Sequence, residues 1–169
     1  MNPDLIDPNT DSWFPLYEFQ DWVYRSFVVL PTAAELAATP GSAVTAQSWG
    51  RGDFLCGQAF NAQPGYLLGG RLVFRDGIEL DVKVQGSKGR NGAPASFEGV
   101  GVGLQGPTKG AISKLVGWVF PRVIENGAAQ VATVRGSVWT VRGPDARPEL
   151  DLSGLPLGTV GSFVIERRS

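Results

Sequence analysis

The sequence predicts a single all-β domain, either an antiparallel β-barrel of about eight or nine strands with one short helix, or a β-sandwich. The chain has 169 residues, which suits one domain with a real core. Its 23 glycines and 12 prolines indicate many turns. After residue 43, short apolar runs are separated by Gly, Pro, Asn or Asp, and no long helical pattern lies between them.

The amino-terminal part is predicted to contain an arm, a strand and the helix. Residues 1–12 are polar and include two prolines, so we expect a flexible arm before a domain that spans residues 13–169. Alternating bulky residues and a final Val-Val-Leu-Pro predict a strand over 22–30. Residues 32–38 begin with a capping Thr, are rich in helix formers and precede Pro-Gly, which predicts one short helix.

The rest of the chain is predicted to form short strands joined by hairpins. Consecutive strands of this kind pair with one another, which gives a meander that closes into a barrel or folds into a sandwich. The predicted strands cover residues 43–49, 53–60, 66–74, 78–86, 96–104, 110–120, 129–142 and 158–167.

One hairpin can be predicted in register. Residues 75–77, Arg-Asp-Gly, suit a three-residue loop with Gly in the left-handed region. That loop places Leu72 opposite Leu80 on an apolar face and Arg71 opposite Asp81 on the other face. A two-residue loop would place Leu72 opposite Asp81 and bury a charge, so the longer loop is favoured. Arg71 and Asp81 are therefore predicted to form a cross-strand ion pair.

Composition and charge argue against several kinds of function. The net charge is −1, with 15 basic and 16 acidic residues, so we expect no nucleic-acid partner. Histidine is absent and Cys56 is the only cysteine, which excludes Ser-His-Asp, Cys-His and zinc hydrolase mechanisms, and we expect no metal. The start lacks a signal-like segment and no apolar run approaches about 18 residues, so we expect a cytoplasmic protein with no membrane span.

Residues 101–106 match the G-x-G-x-x-G pattern of dinucleotide-binding sites. The match is followed by Pro107 and by a run that is typical of a strand, whereas a dinucleotide site needs the amino terminus of a helix there. We therefore expect no cofactor.

The least ordinary segment, residues 97–104, alternates with a period of two. Glu98, Val100 and Leu104 share one face, whereas three glycines leave the other face bare. The glycine face indicates either a sharply coiled barrel strand or room for a cavity. If the face of Glu98 lined a dry interior, Glu98 would be a candidate general acid or base, whereas at the barrel rim it would only be solvated.

Tyr24 and Arg135 complete the predicted catalytic set with Glu98. Tyr24 could donate a proton or a hydrogen bond to a substrate oxygen. Arg135 could orient a carbonyl inside the barrel, or it could point to solvent. The aromatic residues predicted to bind substrate, or alternatively to fill the core, are Trp22, Tyr66, Phe74, Trp118, Phe120 and Trp139.

Residues 96–103, SFEGVGVG, and the later WVFP and GSVWTVRG strands resemble those of calycin-type proteins. More narrowly, the chain is similar to the allene-oxide-cyclase-like barrels, which include cofactor-free cyclases of bacterial natural-product pathways. The likeness covers residues 43–167 and transfers no catalytic residue. It implies a barrel that encloses a flexible polyene or fatty acyl derivative and catalyses its reaction by orienting it and excluding water.

These observations support three functions. The leading hypothesis is a cofactor-independent cyclase or isomerase acting on a small hydrophobic substrate of the polyketide, terpene or fatty acyl type. The alternatives are a non-catalytic carrier of a small apolar ligand, and a structural or interaction protein with a filled barrel. The sequence identifies neither the substrate nor its stereochemistry, and it leaves a homodimer open.

Overall fold

The computed structural model is an all-β closed barrel, which confirms the barrel prediction over the sandwich. It describes residues 22–29, 34, 37, 46–62, 65–87, 94–120, 123–125, 128–130 and 133–167. The strands in this part of the chain are β1 (Trp22–Val29), β2 (Ala46–Ala62), β3 (Gly65–Phe74), β4 (Glu79–Ser87), β5 (Ala95–Val102), β6 (Ile112–Phe120), β7 (Val123–Glu125), β8 (Ala128–Gln130), β9 (Thr133–Arg142) and β10 (Gly161–Arg167).

The barrel is an up-and-down meander of eight antiparallel strands. Around the barrel the order is β1-β10-β9-β6-β5-β4-β3-β2. Neighbouring strands also follow one another along the chain, apart from β6 and β9, which β7 and β8 separate, and the closing pair of β10 and β1. Strands β7 and β8 pair with each other in a separate small hairpin between β6 and β9. The predicted hairpin connections are therefore confirmed.

The β3–β4 hairpin has the predicted register. Leu72 lies opposite Leu80, and the pairing continues along both strands as the three-residue loop requires. In the loop, the amide of Gly77 donates a hydrogen bond to the carbonyl of Phe74 at 2.9 Å. Gly77 has a φ of +83°, which is the left-handed conformation that favours glycine.

The ion pair predicted on this hairpin is wrong. Arg71 does lie opposite Asp81 in the register. Its Nη1 atom, however, lies 3.3 Å from Oε2 of Glu79, the diagonal neighbour on β4. Diagonal partners on paired strands are within reach of long side chains, and Glu is longer than Asp by one methylene group.

Residues 46–62 form one long strand, where the sequence predicted two strands over 43–49 and 53–60. The glycines between the predicted strands are typical of a turn, but here they allow a close approach. A Cβ atom at Gly52 would overlap the backbone carbonyl of Val73 on the neighbouring strand. Glycine is needed at this point because the two backbones lie too close for a side chain.

The predicted strand over 129–142 is divided between β8 and β9, and the β7–β8 hairpin was not predicted. The sequence does contain a signal for this hairpin, because only Asn126 and Gly127 separate the paired residues Glu125 and Ala128. Asn-Gly is a strong sequence signal for a two-residue hairpin loop.

Two predictions fall on parts of the chain that the structure does not describe. The arm over residues 1–12 lies wholly outside the described residues. The helix over 32–38 lies largely outside them, and Ala34 and Ala37 within it are helical.

One end of the barrel is filled by aromatic side chains. Phe97 on β5, Gly117 on β6, Gly136 on β9 and Phe163 on β10 form one row of paired positions across four neighbouring strands. The rings of Phe97 and Phe163 pack against each other with their centroids 5.9 Å apart. A Cβ atom at Gly117 or Gly136 would overlap the backbone of the neighbouring strand, so the two glycines let β6 and β9 approach closely. Further rings that are at most 1% exposed close this filled end: Trp22, Phe54 and Tyr66.

Candidate functional site

The other end of the barrel, which carries the β3–β4 hairpin, contains a cavity of about 360 Å³. Its lining comes from β1, β2, β3, β4, β6 and β9, together with the loop between β3 and β4 and part of the connection between β9 and β10. We call this half of the barrel the open end. The volume lies within the range that is typical of sites for small molecules.

The wall of the cavity is mainly apolar. Leu72, Leu80, Leu115 and Val138 contribute buried aliphatic surface from four different strands. The half-buried ring of Phe74 adds an aromatic face next to the hairpin. Such a wall favours the apolar body of a ligand, because binding removes apolar surface from water on both sides.

Four buried hydroxyl groups interrupt this apolar wall. They belong to Tyr24 and Ser26 on β1, Ser113 on β6 and Thr140 on β9, and each of these residues is at most 5% exposed. Oγ of Ser113 and Oγ1 of Thr140 lie 3.3 Å apart. Hydroxyl groups both donate and accept hydrogen bonds without carrying charge, so this part of the cavity can bind neutral polar groups.

Tyr24 lies at the boundary between the filled end and the open end. Its ring stacks on Phe163 at a centroid distance of 6.2 Å and meets Phe74 edge-on at 6.0 Å. Burial raises the pKa of Tyr24 to about 12, although a side-chain hydrogen bond with Ser26 opposes part of this rise. The phenol therefore stays protonated at neutral pH, where it can donate a hydrogen bond or a proton but cannot act as a base.

Trp49 reaches the cavity wall through a β-bulge in β2. Ser26 pairs with Gly50 and Phe27 pairs with Ser48, so Trp49 is the extra residue between two regular pairs. A bulge interrupts the regular alternation of a strand and so changes the face to which a side chain points. As a result Ser48, Trp49 and Gly50, three consecutive residues, all contribute to the lining.

The indole of Trp49 is tightly packed on one side and lacks a hydrogen-bond partner on the other. A Cβ atom at Gly161 would overlap Cε3 and Cζ3 of Trp49, so the glycine makes room for this edge of the ring. Nε1, across the indole from these two carbons, is buried and has no acceptor in the described part of the chain. Leaving a buried donor unpaired costs roughly 1–3 kcal/mol.

The charged residues of the lining lie at the rim of the cavity. Arg51, Arg75 and Asp76 contribute to the lining, and all three are exposed. Oδ1 of Asp76 accepts a hydrogen bond of 3.3 Å from the amide of Ile78, which fixes the aspartate on the hairpin. These charges remain in contact with water, so the enclosed part of the described lining is neutral.

The connection between β9 and β10 covers one side of the cavity. The carboxylate of the buried Asp151 holds a turn there, because its Oδ1 accepts hydrogen bonds from the amides of Ser153 at 2.8 Å and Leu155 at 2.9 Å. This turn places Leu152 against the core and into the lining. The cover is therefore an ordered turn with its own hydrogen bonds.

A second set of contacts ties this connection to the one between β5 and β6. Nη1 of Arg142 donates a hydrogen bond of 2.6 Å to the carbonyl of Gly110 and lies 2.9 Å from Oδ1 of Asp145. The amide of Asp145 in turn donates to the carbonyl of Lys109 at 2.7 Å. Two of the connections at the open end thus support each other.

Of the residues that the sequence predicted for the site, Tyr24 and Phe74 lie together in the cavity wall. Trp22 and Tyr66 lie in the filled end, which agrees with the alternative that they are core residues. The hydroxyl of Tyr66 donates to the carbonyl of Ser96, and burial, assisted by the negative charge of Glu98, raises the pKa of Tyr66.

Glu98 and Arg135 lie on the outer surface of the barrel, and both side chains are exposed. Oε2 of Glu98 accepts a hydrogen bond of 3.4 Å from Gln85, and the guanidinium of Arg135 lies 4.1 Å from the ring centroid of Phe120. Neither residue belongs to the cavity lining. The catalytic roles predicted for them inside the barrel do not fit this placement, and the solvent-facing alternative does.

Trp118, Phe120 and Trp139 also lie on the outer face and do not line the cavity. Trp118 is 51% exposed. Alternation shows which residues share a face of a strand but not which face is inside, and large aromatic residues favoured the wrong choice. At the corresponding paired positions β6 and β9 carry Gly117 and Gly136, where a Cβ atom would overlap the backbone of the neighbouring strand.

The sequence reasoning missed Ser113, Thr140 and Trp49. A signal for Ser113 existed, because Lys114 shares its face with Trp118, and a charged residue favours the solvent for that whole face. Ser113 and Leu115 are then left facing inward. Trp49 had no comparable signal, since its position in the wall depends on the bulge.

Within the described residues, no group of three or more His, Cys, Asp or Glu side chains could hold a metal ion. The same residues contain no helix that is long and apolar enough to cross a membrane.

Comparisons with known proteins give no relationship. No protein-family model matches the chain, and neither a curated protein nor a solved structure matches it with statistical significance.

Proposed function

We propose that this protein binds a small, largely apolar molecule in the cavity at the open end of its barrel. The observation that carries the proposal is the cavity of about 360 Å³, with its apolar wall and buried hydroxyl groups. Protein interiors are normally close-packed, and empty space in them lowers stability. A barrel that served only as a scaffold would gain stability from a core that filled both ends, so the cavity favours ligand binding over the filled-barrel alternative.

The cyclase or isomerase activity predicted from the sequence is a second candidate for the same cavity. The observation that favours it is Tyr24, a proton donor buried at the floor of an apolar site. An oriented substrate, a proton donor and the exclusion of water are what such a cofactor-free reaction requires. A carrier would use the same wall but would release its ligand chemically unchanged.

Binding is tested by titrating the protein with N-phenyl-1-naphthylamine, a neutral dye whose fluorescence rises in apolar surroundings. We expect saturable binding to one site with a Kd on the order of micromolar, and an increase in Tm when dye is present. Fluorescence that rises linearly without saturating, with an unchanged Tm, would contradict an enclosed apolar site.

Catalysis is tested separately with linear polyene and fatty acyl compounds that compete with the dye. Each compound is incubated with wild-type protein and with Tyr24→Phe, and the mixtures are analysed by chromatography and mass spectrometry. A cyclase or isomerase gives a product of unchanged mass and altered retention, and Tyr24→Phe lowers its rate while keeping dye affinity. Recovery of every bound compound unchanged supports the carrier function.

Several predictions from the sequence stay proposals. They are the relationship to calycin-like and allene-oxide-cyclase-like barrels, cofactor independence, a cytoplasmic location, the lack of a nucleic-acid partner and a homodimer. The eight-stranded meander with a cavity at one end supports the first of them. Exposed apolar residues on the outer faces of β5 and β6, Val100, Val116 and Trp118, support association through that face.

A further inference from the structure

Two hydroxyl groups in the cavity wall leave one hydrogen-bond donor unused. Ser113 on β6 and Thr140 on β9 lie directly opposite each other, and their hydroxyl oxygens are 3.3 Å apart. Whichever of the two donates, their mutual hydrogen bond uses only one of the two O–H groups. Neither hydroxyl has a further hydrogen-bond partner in the part of the chain that the structure describes. One O–H group of the pair is therefore left to donate to a molecule in the cavity.

Both residues of the pair face the cavity. Along β6 buried and exposed residues alternate, and Ser113 and Leu115 belong to the buried, inward-facing set. Thr140 and Val138 lie opposite them on β9, and all four residues line the cavity. Beyond its Cβ atom the side chain of Ser113 consists of the hydroxyl group alone, so an inward-facing Ser113 presents this group to the cavity. Ser113 and Thr140 remain 4% and 5% exposed, which leaves surface that a molecule in the cavity can contact.

The charges of the wall restrict which acceptor fits this donor. Arg51, Arg75 and Asp76 are exposed at the rim, so the enclosed part of the described lining offers no ion to pair with a buried anion. An unpaired buried charge costs far more free energy than one hydrogen bond to a hydroxyl group returns. The acceptor is therefore expected to be an uncharged oxygen, such as the carbonyl of a ketone, ester or lactone.

Resting on the binding function proposed above, we propose that the ligand is an uncharged molecule with an apolar body and a carbonyl oxygen, and that the Ser113–Thr140 pair donates a hydrogen bond to that oxygen. The apolar neighbours of the pair, Leu115 and Val138, contact the body of the ligand. The mutual hydrogen bond restricts the rotation of both hydroxyl groups, so the donor is oriented before a ligand arrives. A hydrocarbon of the same shape would leave the O–H group unpaired, so the pair determines specificity for the oxygen-bearing ligand.

The experiment compares two ligands that differ by one group. Propiophenone and propylbenzene have the same skeleton, with a carbonyl in the first where the second has a methylene. Their Kd values are measured by calorimetry with wild-type protein and with two double variants. The inner variant, Ser113→Ala with Thr140→Val, removes both hydroxyl groups of the pair. The outer variant, Ser137→Ala with Ser162→Ala, removes two hydroxyl groups at directly paired, exposed positions of β9 and β10.

We expect the inner variant to bind propiophenone about 3- to 10-fold more weakly than wild type, because it lacks one hydrogen bond to the ligand. It should bind propylbenzene at least as tightly, since no hydroxyl group then has to lose its water. The outer variant should change neither Kd. Equal losses for both ligands in the inner variant, or no loss for either, would overturn the role of the pair while leaving the cavity as a binding site. Failure of both ligands to bind wild-type protein would instead contradict the proposed function itself.

The inner variant is expected to fold, because replacing both partners of a buried hydrogen bond by apolar groups is nearly neutral for stability. Tyr24, whose phenol belongs to the same lining, is the rival donor. Tyr24→Phe should weaken propiophenone binding no more than propylbenzene binding. A loss for propiophenone alone in Tyr24→Phe, with none in the inner variant, would assign the ligand oxygen to Tyr24 and overturn the proposal.

A second measurement observes the ligand oxygen directly in wild-type protein. The carbonyl stretching frequency of a ketone falls when its oxygen accepts a hydrogen bond. In an infrared difference spectrum, the carbonyl band of bound propiophenone should therefore lie below its position in hexane, and it should move back towards that position in the inner variant. A band at the hexane position in wild-type protein would show that the bound oxygen accepts no hydrogen bond, which contradicts the proposal.

Discussion

The two ends of the barrel are built from the same strands but have opposite interiors. At the filled end, the buried rings of Phe97 and Phe163 pack against each other at a centroid distance of 5.9 Å. At the open end, the corresponding inward positions carry small hydroxyl residues such as Ser113 and Thr140, and about 360 Å³ remains empty. The difference lies in side-chain size, since the strand pairing continues through both halves.

This contrast suggests a division between stability and binding. The filled end supplies the close-packed apolar core that stabilises a barrel. The open end leaves out part of that packing, and polar groups occupy places that large apolar residues would fill in a scaffold. Functional sites commonly violate such packing rules at a cost in stability that the rest of the fold offsets.

The largest effect on the free energy of unfolding is expected when a phenylalanine of the filled end is replaced, and a phenylalanine beside the cavity serves as the comparison. Phe97→Ala in the filled end should lower the free energy of unfolding by about 3–5 kcal/mol, because it removes a fully buried ring and leaves a cavity. Phe74→Ala beside the open cavity should cost about 1–2 kcal/mol, since its ring is only half-buried. Urea denaturation of the two variants measures both values. Equal losses would mean that the two ends are packed alike.

A second effect depends on pH. Burial raises the pKa of Tyr24 from 10.0 to about 12, so the folded protein holds this proton more tightly than the unfolded chain does. Its contribution to stability is complete below pH 10 and is lost as the pH rises from about 10 to about 12. The full loss is about 3 kcal/mol.

The comparison with Tyr24→Phe isolates this contribution, because Tyr66 remains in both proteins. Urea denaturation at pH 9 and at pH 11.5 should show a larger loss of stability for wild-type protein than for Tyr24→Phe. The same loss in both proteins would show that the phenol of Tyr24 is as accessible to water in the folded state as in the unfolded chain.

A smaller effect concerns the turn that covers the cavity. Asp151→Ala should lower stability by about 2 kcal/mol, because the amides of Ser153 and Leu155 lose their acceptor. Asp151→Asn keeps an acceptor oxygen and should cost less. Amide hydrogen exchange should become faster at these two residues and stay unchanged in the filled end. Uniform acceleration over the whole barrel would mean that the turn is not an independent unit.

The smallest effect is expected on the outside of the barrel. Arg71→Ala removes the exposed ion pair with Glu79 and should change the free energy of unfolding by less than about 1 kcal/mol. Stability measured in low and in high salt should differ little between the two proteins. A larger loss would assign the outer charges a structural role comparable to that of the interior.

The sequence predicted the β-barrel and the β3–β4 register because both follow from local rules. The Arg-Asp-Gly loop determined which residues of β3 and β4 pair, and Gly77 has the expected left-handed conformation. The glycine face of β5 was predicted to mark either a sharply coiled barrel strand or room for a cavity. Gly99 and Gly101 are buried, but neither belongs to the cavity lining.

The candidate site was much less predictable, because its residues come from six strands and two connections between strands. Tyr24 and Phe74 were identified by residue type, and Trp118 and Trp139 were misplaced by the same criterion. The inner face of β6 depends on which side of the sheet closes around the core, which no single strand specifies. The position of Trp49 depends on a bulge that appears only once β1 and β2 are paired.

The central claim is that the open end binds an apolar molecule, and filling its cavity tests this most directly. Ser113→Leu adds an apolar side chain to the cavity wall, and Ser137→Leu makes the same substitution on the exposed outer face of β9. Both variants are titrated with N-phenyl-1-naphthylamine beside wild-type protein, after circular dichroism has shown that each is folded. We predict that Ser113→Leu weakens dye binding by at least about tenfold while Ser137→Leu binds like wild type. Wild-type affinity in a folded Ser113→Leu variant would contradict the claim.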